Sequence, residues 1–331
     1  SRREVKKSHP RLTLTGCRAN NLQAIDVSIP LARLTVLTGI SGSGKSTLMH
    51  QCLAVAARGN RKPQNASYRS ASGFAPIASV YEVDQSPIGK TSRSCPATYV
   101  KIFDDIRKLF AQLPEARMRG YTASRFSFNT GDGRCPECDG NGRIKLEMDF
   151  LPTTWVPCET CHGQRYNPAT LEVRYRGKSI GEVLQLTIEE AAEFFDAQTK
   201  IAEPLKLLAD TGLGYLQLGQ PSPTVSGGEA QRIKLVSQLI RGRPKLTGMR
   251  RAQSNLYLIE EPTVGLHLDD VKKLIDVLHR LVDEGHTVVV IEHHMALAAE
   301  ADWVLDLGPE GGDGGGKIVA QGPPEKIARS K

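Results

Sequence analysis

The feature that most constrains the fold is a glycine-rich run near the start of the chain. Residues 39–46 read GISGSGKS and match the pattern G-x-x-x-x-G-K-[ST]. A β-branched run at 33–38 precedes it, and residues 46–57 can continue as a helix. A phosphate-binding loop requires this context, because its glycines let backbone N–H groups converge on phosphate at a helix N-terminus. The run therefore predicts a nucleotide-binding α/β lobe.

Several residues in and after this run have predicted roles in binding and hydrolysing ATP. Lys45 is expected to reach the β- and γ-phosphates, and the Ser46 hydroxyl is expected to bind Mg²⁺. Residues 256–259 form a candidate buried strand that leads into two carboxylates. Glu260 is expected to support the metal, and Glu261 to orient or deprotonate the attacking water. The candidate nucleotide contacts in these segments are Gly39, Ser41, Gly42, Ser43, Gly44, Lys45, Ser46, Thr47 and Glu260.

Four of the seven cysteines form two C-x-x-C pairs with nineteen residues between them: Cys135 with Cys138, and Cys158 with Cys161. Two such pairs can place four thiolates tetrahedrally around Zn²⁺ at about 2.3 Å. Four protein ligands leave no open position, so one structural zinc ion is predicted. Reduced unpaired thiols or a redox pair are the alternatives. This cysteine usage fits a reducing compartment, and the cytoplasm is the expected location.

The net charge of +7 is distributed unevenly along the chain. Residues 1–62 carry eleven Lys and Arg against two acids, whereas residues 254–331 carry fourteen acids against seven bases. This asymmetry suggests a basic surface that meets a polyanion, and a solvated basic face without a ligand is the alternative. No apolar run approaches the roughly 18 residues that span a bilayer, so no membrane partner is expected. The candidate DNA contacts are Arg119, Arg125, Arg134, Arg143 and Lys145.

Strand and helix patterns alternate in the last third of the chain. Strands are predicted at 287–291 and 303–307, and an amphipathic helix at 269–284. Such alternation predicts a mostly parallel sheet covered by helices. In the middle of the chain, helices are predicted at 96–110 and 187–195. Residues 58–79 are rich in Gly, Pro, Ser and Asn and are expected to form a loop.

Residues 225–231, VSGGEAQ, resemble the signature of the ABC class of ATPases, and with the phosphate loop and paired carboxylates they indicate that class. The resemblance implies that Gln85 couples the γ-phosphate to the helical lobe and that His293 is the switch histidine. It further implies that a run of three residues acts in trans, on the nucleotide of another unit: Ser226, Gly227 and Gly228. Because the chain carries one such set, a second copy or a second half is expected.

Two departures from the ABC pattern concern the nucleotide. The class normally has Asp where this chain has Glu260, and the extra methylene moves the carboxylate by about a bond length. ABC ATPases also often stack adenine on an aromatic residue before the phosphate loop, yet residues 1–30 contain no Phe, Tyr or Trp. His9 is the residue in that segment that could substitute. The adenine contact is therefore left open.

Further motifs resemble the A subunits of the bacterial UvrABC excinuclease, in their C-terminal half: 84–89 (DQSPIG), 96–99 (PATY), 125–129 (RFSFN), 165–167 (RYN), 218–221 (LGQP) and 306–316 (DLGPEGGDGGG). The resemblance implies ATP-dependent recognition of damaged duplex DNA in nucleotide excision repair, without cutting DNA. It implies ATP, Mg²⁺ and one Zn²⁺, a homodimer or the missing N-terminal half, and a UvrB-like helicase subunit as partner. The ATP-binding lobe is then expected at 1–88 and 251–331, and the helical signature domain at 89–250, with a zinc module at about 130–168.

Two other functions are compatible with parts of the pattern. A paralogue of the same family could confer tolerance to drugs or DNA intercalators without the repair cascade. An ABC ATPase of transport or translation is the third possibility, and the cysteine pairs between the phosphate loop and the signature argue against it. A DNA-binding test on intact and lesion-bearing duplex separates these hypotheses.

Overall fold

The computed structural model describes residues 3–59, 67–89, 91–148, 151–242 and 254–329. The chain folds into two compact units, unit 1 with residues 1–84 and 243–331, and unit 2 with residues 85–242. The first segment of unit 1 ends at Asp84, whereas the sequence predicted this boundary after residue 88. The second predicted boundary, between residues 250 and 251, lies outside the described residues.

The strands, in chain order, are β1 (Arg11–Cys17), β2 (Ile25–Pro30), β3 (Leu34–Gly39), β4 (Ser70–Ser72), β5 (Ile77–Val83), β6 (Arg143–Met148), β7 (Leu151–Pro157), β8 (Arg174–Tyr175), β9 (Lys178–Ser179), β10 (Ser254–Glu260), β11 (Thr287–Ile291), β12 (Trp303–Gly308) and β13 (Lys317–Gly322).

The α-helices are α1 (Ala54–Ala57), α2 (Pro96–Tyr99), α3 (Ile102–Ala111), α4 (Pro114–Met118), α5 (Pro168–Leu171), α6 (Ile180–Gln185), α7 (Ile188–Phe194), α8 (Thr199–Leu208), α9 (Gly227–Gly242), α10 (Leu268–Asp283), α11 (Met295–Glu300) and α12 (Pro324–Ile327). Two segments form wider π-type turns: Thr47–Leu53, which leads into α1, and Ala209–Leu213. Two more form 3₁₀ turns: Ser222–Thr224 and Gly312–Gly314.

The main sheet of unit 1 has six strands in the order β13-β12-β3-β11-β10-β5. All neighbours are parallel except β13, which runs antiparallel to β12, so the predicted mostly parallel sheet is confirmed. Every residue of β11, TVVVI, is buried, as expected for a central strand covered on both faces. The carboxyl ends of parallel strands meet at one edge of a sheet. The residues that follow β3, β10 and β11 therefore lie at the same edge.

A second sheet of unit 1 is antiparallel, with strands in the order β2-β1-β4. The sequence did not predict it. Residues 58–79, expected to form a loop, contain β4 and the start of β5, while 60–66 lie outside the described residues. Strand β4 is short, and it is stabilised by pairing with residues 13–15 of β1, far away in the chain. The composition of the segment carried no sign of that pairing.

Unit 2 is mainly helical around an aromatic core in which Phe110, Phe126, Phe128, Tyr166 and Phe195 are fully buried. The helix predicted at 96–110 is in fact two helices, α2 and α3, because Lys101 between them adopts a left-handed backbone with φ of +67°.

The helix predicted at 187–195 is confirmed as α7, and it begins with a capping box. The Thr187 hydroxyl accepts from the Glu190 amide at 3.2 Å, and the Thr187 amide donates to the Glu190 carboxylate at 2.9 Å. Unit 2 also carries an antiparallel hairpin of β6 and β7, which lies between the two cysteine pairs. Among the described residues, none of the helices combines the length and apolar character needed to cross a bilayer.

Candidate nucleotide and metal sites

The phosphate loop leaves the carboxyl end of β3, and its backbone conformation requires glycine. Gly39, Gly42 and Gly44 have φ angles of +129°, +77° and +102°. A Cβ on Gly39 would lie 2.0 Å from the carbonyl oxygen of Leu307, and one on Gly44 would lie 2.8 Å from a methyl group of Leu22. Side chains are thus excluded where the loop folds back against the rest of unit 1. The loop shape that can cradle phosphate is therefore present.

Lys45 lies folded over this loop. Its ammonium donates to the carbonyl oxygens of Gly39 and Ile40 at 2.8 and 2.7 Å, and the residue is only 6% exposed. Burial lowers the pKa of Lys45, while the carboxylates of Glu261, Asp306 and Glu260 act against that shift. A partly desolvated ammonium held at the loop is suited to attract phosphate oxygens, since both lack bulk water there.

A clasp formed by Asn21 and Gly312, one near each end of the chain, holds the loop from outside. The Asn21 side-chain amide donates to the carbonyl oxygens of Gly42 and Gly312 at 2.8 and 3.1 Å. The Gly312 amide in turn donates to Gly42 O at 3.1 Å, and Asn20 donates to the Thr47 hydroxyl at 3.1 Å. Asn20, Asn21 and Gly312 were not among the residues predicted for this site. The glycine run at 311–316 was a signal of close backbone approach, but nothing in the sequence named its partner.

Two carboxylates end β10 beside the loop, and they differ in their contacts. Glu260 accepts a short hydrogen bond from the Ser46 hydroxyl through one oxygen, and its other oxygen lies 3.3 Å from Nε2 of His50. Glu261 has a left-handed backbone with φ of +44°, and its backbone N–H donates a hydrogen bond to Ile291 O at 2.9 Å. Non-glycine residues with this backbone are strained and cluster at functional sites.

His293 follows β11, and its Nε2 lies 3.8 Å from Oε1 of Glu261. The preceding residue, Glu292, is only 3% exposed and holds this corner together. Its carboxylate accepts from the amides of His293 and His294 at 2.7 and 3.0 Å, and from the amide and hydroxyl of Thr263 at 2.9 and 2.5 Å. It thereby ties the segment after Glu261 to the one that carries His293. Sequence reasoning assigned it no role, although a charged residue directly after a buried strand was a visible signal.

A cavity of about 380 Å³ brings most of the predicted nucleotide residues together. Its lining includes Lys45, Ser46, Glu261 and His293, together with Ser41, Gly42, Gly44 and Thr47, and Asn20, Asn21 and Gly312 of the clasp. Gly39 lines a neighbouring cavity, the Ser43 hydroxyl is buried, and Glu260 is tied to the site through Ser46. Hydroxyl and carboxylate oxygens are ligands that Mg²⁺ accepts beside phosphate oxygens. The residues present thus fit a magnesium nucleotide.

The ring of His9, the substitute named for an adenine contact, is engaged elsewhere. Its Nε2 lies 2.7 Å from the carbonyl oxygen of Leu31. The adenine contact stays open.

The predicted signature lies in unit 2, at the start of α9. The Ser226 amide donates to the Glu229 carboxylate at 2.7 Å, and the Glu229 amide donates to the Ser226 hydroxyl at 3.4 Å. Ser226 and Glu229 therefore form a capping box, with Gly227 and Gly228 in the first turn. Gln85 packs against Gly227, where a Cβ would lie 3.2 Å from the Cβ of Gln85. The roles of these residues toward a nucleotide stay predictions.

The four predicted zinc ligands converge in unit 2. The sulfur atoms of Cys135, Cys138, Cys158 and Cys161 are buried and all lie within 4.8 Å of one another. The distance between Cys135 and Cys158 sulfurs is 3.9 Å, and that between Cys138 and Cys161 sulfurs is 3.7 Å. A tetrahedron with metal–sulfur bonds of about 2.3 Å has edges of about 3.8 Å. The four side chains thus fit one Zn²⁺, and the Gly142 amide donates to the Cys138 sulfur at 3.2 Å.

Three of the candidate DNA contacts are engaged within unit 2. Arg119 forms ion pairs with Glu115 at 2.9 Å and with Glu172 at 2.5 Å. Arg134 forms an ion pair with Asp139 at 2.9 Å. Arg125 stacks on Tyr121 at 4.6 Å and donates to Thr170 at 3.0 Å. Exposed ion pairs contribute only about 0–1 kcal/mol, so these contacts leave a role toward phosphate as a prediction.

The other two candidates lie on β6. Lys145 is exposed, and Arg143 is half-buried beside a cavity of about 210 Å³ that Arg165 also lines. Arg165 is a residue whose structural role the sequence did not predict. Its guanidinium lies 4.7 Å over the ring of Phe128 and donates to Gly219 O at 2.7 Å, and its backbone carbonyl accepts from the Cys135 amide at 2.9 Å. It thus connects the cysteine cluster to the helical core of unit 2.

Comparison with known proteins finds relatives of high sequence identity. No protein-family model matches the chain. UvrABC system protein A of Thermus thermophilus is 57% identical over 320 residues, which is 96% of this chain and 33% of that protein. The same protein of Micrococcus luteus is 53% identical over 332 residues, 99% of this chain and 33% of the relative. The chain is UvrA-like, and the predicted resemblance is confirmed.

The solved structure of UvrA2 from Deinococcus radiodurans matches this UvrA-like chain over 100% of its length, with a TM-score of 0.86 and 46% identity, and 39% of that chain is covered. The predicted fold class, an ABC-type phosphate-loop lobe split by a helical unit with a four-cysteine cluster, is confirmed. The chain spans about a third of the length of the curated relatives it matches, in keeping with a C-terminal portion.

Proposed function

We propose that this chain binds and hydrolyses ATP with Mg²⁺ and thereby drives the recognition of damaged DNA in nucleotide excision repair. The observation that carries the proposal is the convergence of Lys45, Ser46, Glu261 and His293 on one cavity, in a chain 57% identical to UvrABC system protein A. The chain itself cuts no DNA. Its relatives are about three times as long, so this activity belongs to a larger protein of which the chain corresponds to one part.

Each residue at the cavity has a separate task in hydrolysis. Lys45 exchanges its two loop carbonyls for β- and γ-phosphate oxygens and neutralises their charge. Ser46 and Glu260 would hold Mg²⁺, which when bound would neutralise the charge that develops on the phosphates. Glu261 orients the attacking water, and His293, 3.8 Å away, contacts the γ-phosphate side of the same cavity. Glu292 keeps Glu261 and His293 in register through Thr263.

The signature acts on a nucleotide held elsewhere. Ser226 precedes α9, and Gly227 and Gly228 lie in its first turn, where backbone N–H groups can meet phosphate. Gln85, which packs against Gly227, is the proposed link between the γ-phosphate and the helical unit. The chain carries a single signature and a single phosphate loop. A second copy of the chain or the remaining part of the full-length protein supplies the complementary pair. In the full-length protein a UvrB-like helicase subunit is the next partner.

The zinc ion has a structural task. Bound by the four cysteines, it would close the ends of the β6–β7 hairpin, which carries Arg143 and Lys145 toward DNA phosphates. Arg119, Arg125 and Arg134 add further positive charge in unit 2 and exchange their internal partners for phosphate. Contacts of this kind with the DNA phosphate backbone depend on the deformability of the damaged duplex and not on base identity. The protein works in the cytoplasm, where DNA and reduced thiols coexist.

The ATPase proposal is tested with Lys45→Ala. Loss of this ammonium should reduce ATP turnover at least about hundredfold, since it removes the main charge on the β- and γ-phosphates. Zinc content should stay at one per chain. Lys272→Ala is the matched control, because Lys272 is 79% exposed on α10 and away from the cavity. Turnover that survives in Lys45→Ala would refute the site.

The DNA proposal is tested by binding to intact and lesion-bearing duplex at several salt concentrations, with and without ATP. The double variant Arg143→Ala/Lys145→Ala should lower the slope of log affinity against log salt by about 2, one for each lost phosphate contact. Lys200→Ala, an exposed lysine of α8, should leave the slope unchanged. Absence of binding to either duplex would indicate a partner other than DNA.

A further inference from the structure

His50 lies in the π-type turn that follows the phosphate loop, four residues after Ser46. Residues at this spacing share one face of a helix, so the imidazole and the Ser46 hydroxyl project from the same side. Both contact the carboxylate of Glu260, Ser46 through Oε1 and His50 through Oε2. His50 carries no role predicted from the sequence. All groups in this arrangement belong to unit 1.

The imidazole lies between two carboxylates. Its Nδ1 is 2.7 Å from Oε2 of Glu82, and its Nε2 is 3.3 Å from Oε2 of Glu260. The two glutamates lie on neighbouring parallel strands, where Glu82 pairs with Leu258, two residues before Glu260. Because side chains alternate along a strand, Glu82 and Glu260 project from the same face of the sheet, toward His50. This arrangement follows from strand register and is not a chance surface contact.

Glu82 has a second partner besides His50. Glu82 forms an ion pair with Arg58, which caps α1, the helix that follows the turn carrying His50. The row thus runs from Arg58 through Glu82, His50 and Glu260 to Ser46, with each member contacting the next. The ring of His50 is about one-third exposed, so the side chain depends on these partners for its orientation. A ring fixed at both nitrogens can fix the carboxylate it contacts.

Glu260 is the position at which the chain departs from the ABC pattern, which has Asp there. Glutamate has one more rotatable bond than aspartate, and its carboxylate therefore has more orientations to lose on binding. Mg²⁺ demands a nearly ideal octahedral arrangement of oxygens and tolerates misplaced ligands poorly. A longer acid at this position consequently needs a contact that restricts it. His50 supplies that contact on the oxygen that Ser46 does not engage.

We propose that His50 is a positioning residue that fixes the Glu260 carboxylate for the Mg²⁺–nucleotide complex, and that it compensates for the extra methylene of the glutamate. The inference rests on the proposed nucleotide site and adds a residue to it. Partners that orient a metal-supporting side chain typically change metal affinity 10–100-fold when removed. The proposal predicts that the importance of His50 depends on which acid occupies position 260.

The test measures binding of Mn²⁺, in place of Mg²⁺, to the full chain with a non-hydrolysable ATP analogue, with free Mn²⁺ followed by electron paramagnetic resonance. His50→Leu and His50→Gln are made with Glu260 intact and with Glu260→Asp. With Glu260 intact, His50→Leu should weaken Mn²⁺ binding about tenfold, and His50→Gln, which retains one donor, should recover part of it. In the Glu260→Asp chain, His50→Leu should change the affinity less than about twofold.

Glu82→Gln is a second variant, because it removes the carboxylate that orients His50 and leaves His50 and Glu260 in place. It should weaken Mn²⁺ binding in the same direction by about threefold. An equal loss from His50→Leu in both backgrounds, or no loss with Glu260 intact, would overturn the proposal. If His50→Leu does not fold, as judged by circular dichroism, the contrast between His50→Gln in the two backgrounds decides.

Failure of the underlying nucleotide site would be seen separately. Metal-free binding of the analogue to the unsubstituted chain, and its loss in Lys45→Ala, establish the site before any His50 variant is made. A chain that does not bind the analogue refutes the proposed function and, with it, the role of His50. A chain that binds the analogue and Mn²⁺ equally well with His50→Leu refutes the role of His50 alone.

Discussion

The phosphate loop of unit 1 and the cysteine cluster of unit 2 are the two proposed ligand sites, and they differ in which groups face the ligand. The loop presents backbone groups, and its shape is fixed by protein contacts from Leu307, Asn21 and Gly312. The cluster presents four side chains on turns, and among the described residues the apolar side chain packed against it is that of half-buried Ile144. Contacts across a core can hold the first site without its ligand. The second has so little apolar packing that we expect it to depend on a bound metal in place of a core.

The greatest loss of structure is expected when one of the four cysteine ligands is removed. Cys138→Ser should release about one zinc per chain and unfold residues 130–168 locally, because structural zinc contributes about 10–16 kcal/mol in comparable small modules. Zinc release measured with a chromogenic chelator, and hydrogen exchange over that segment, check this result. Nucleotide binding at unit 1 should persist.

His162→Ala is the control for this experiment. His162 is adjacent to Cys161 but exposed and outside the four-cysteine group, so the His162→Ala variant should keep one zinc per chain. Stoichiometric zinc in Cys138→Ser would refute the four-thiolate site. Local unfolding that spreads into unit 1 would contradict the difference between the two sites.

A smaller effect is expected from filling the space that the loop backbone needs. Gly39→Ala combines a φ of +129° with a Cβ only 2.0 Å from Leu307 O, and should destabilise unit 1 by about 2–4 kcal/mol. Gly59→Ala also has a left-handed backbone, with φ of +75°, but none of the described residues lies within 4 Å of its Cβ. It should cost only about 1 kcal/mol, because only the backbone strain applies.

Urea unfolding followed by tryptophan fluorescence separates these two glycines. The chain has two tryptophans, Trp155 in unit 2 and Trp303 in unit 1, so Trp155→Phe leaves a signal that reports on unit 1. Equal shifts for the two alanine variants would mean that the close approach of the loop to β12 does not matter. The loop would then be less rigid than the comparison requires.

The smallest effect is expected at the capping boxes of unit 2. Ser226→Ala removes the hydroxyl that accepts a hydrogen bond from the Glu229 amide and should destabilise the start of α9 by about 1 kcal/mol. Amide hydrogen exchange there should therefore become roughly fivefold faster. Thr187→Ala makes the same change at α7 and should have a similar effect on exchange. Only Ser226→Ala should also reduce ATP turnover. Equal turnover in both variants would leave Ser226 a helix cap alone.

Local patterns predicted the elements whose causes are local. The phosphate loop, the strand Thr287–Ile291 and the Thr187 capping box depend on residues within a few positions of one another. The four cysteines were found because metal chemistry fixes the spacing within each pair. Pairings between distant segments were not predicted, since no periodicity encodes which strand meets which. The sheet that contains β4, the clasp of Asn21 on Gly312 and the contact of His50 with Glu260 are of this kind.

The break at Lys101 shows a different limit. Apolar residues recur at helical spacing across positions 99–110, and the pattern predicts one continuous helix. The chain instead places Lys101 in a left-handed conformation that changes direction between α2 and α3. Both helices bury their apolar residues in one core, so burial was satisfied by a turn that periodicity does not reveal.

The clasp on the phosphate loop has a consequence for the order in which the protein is made. Asn21 and Gly312 are 291 positions apart, yet both bond the loop at Gly42. During synthesis, the loop emerges from the ribosome long before its second support does, and all of unit 2 is made in between. The zinc hairpin can therefore close while the nucleotide cradle is still incomplete. The contacts that shape the proposed nucleotide site are complete only once Gly312 has been made.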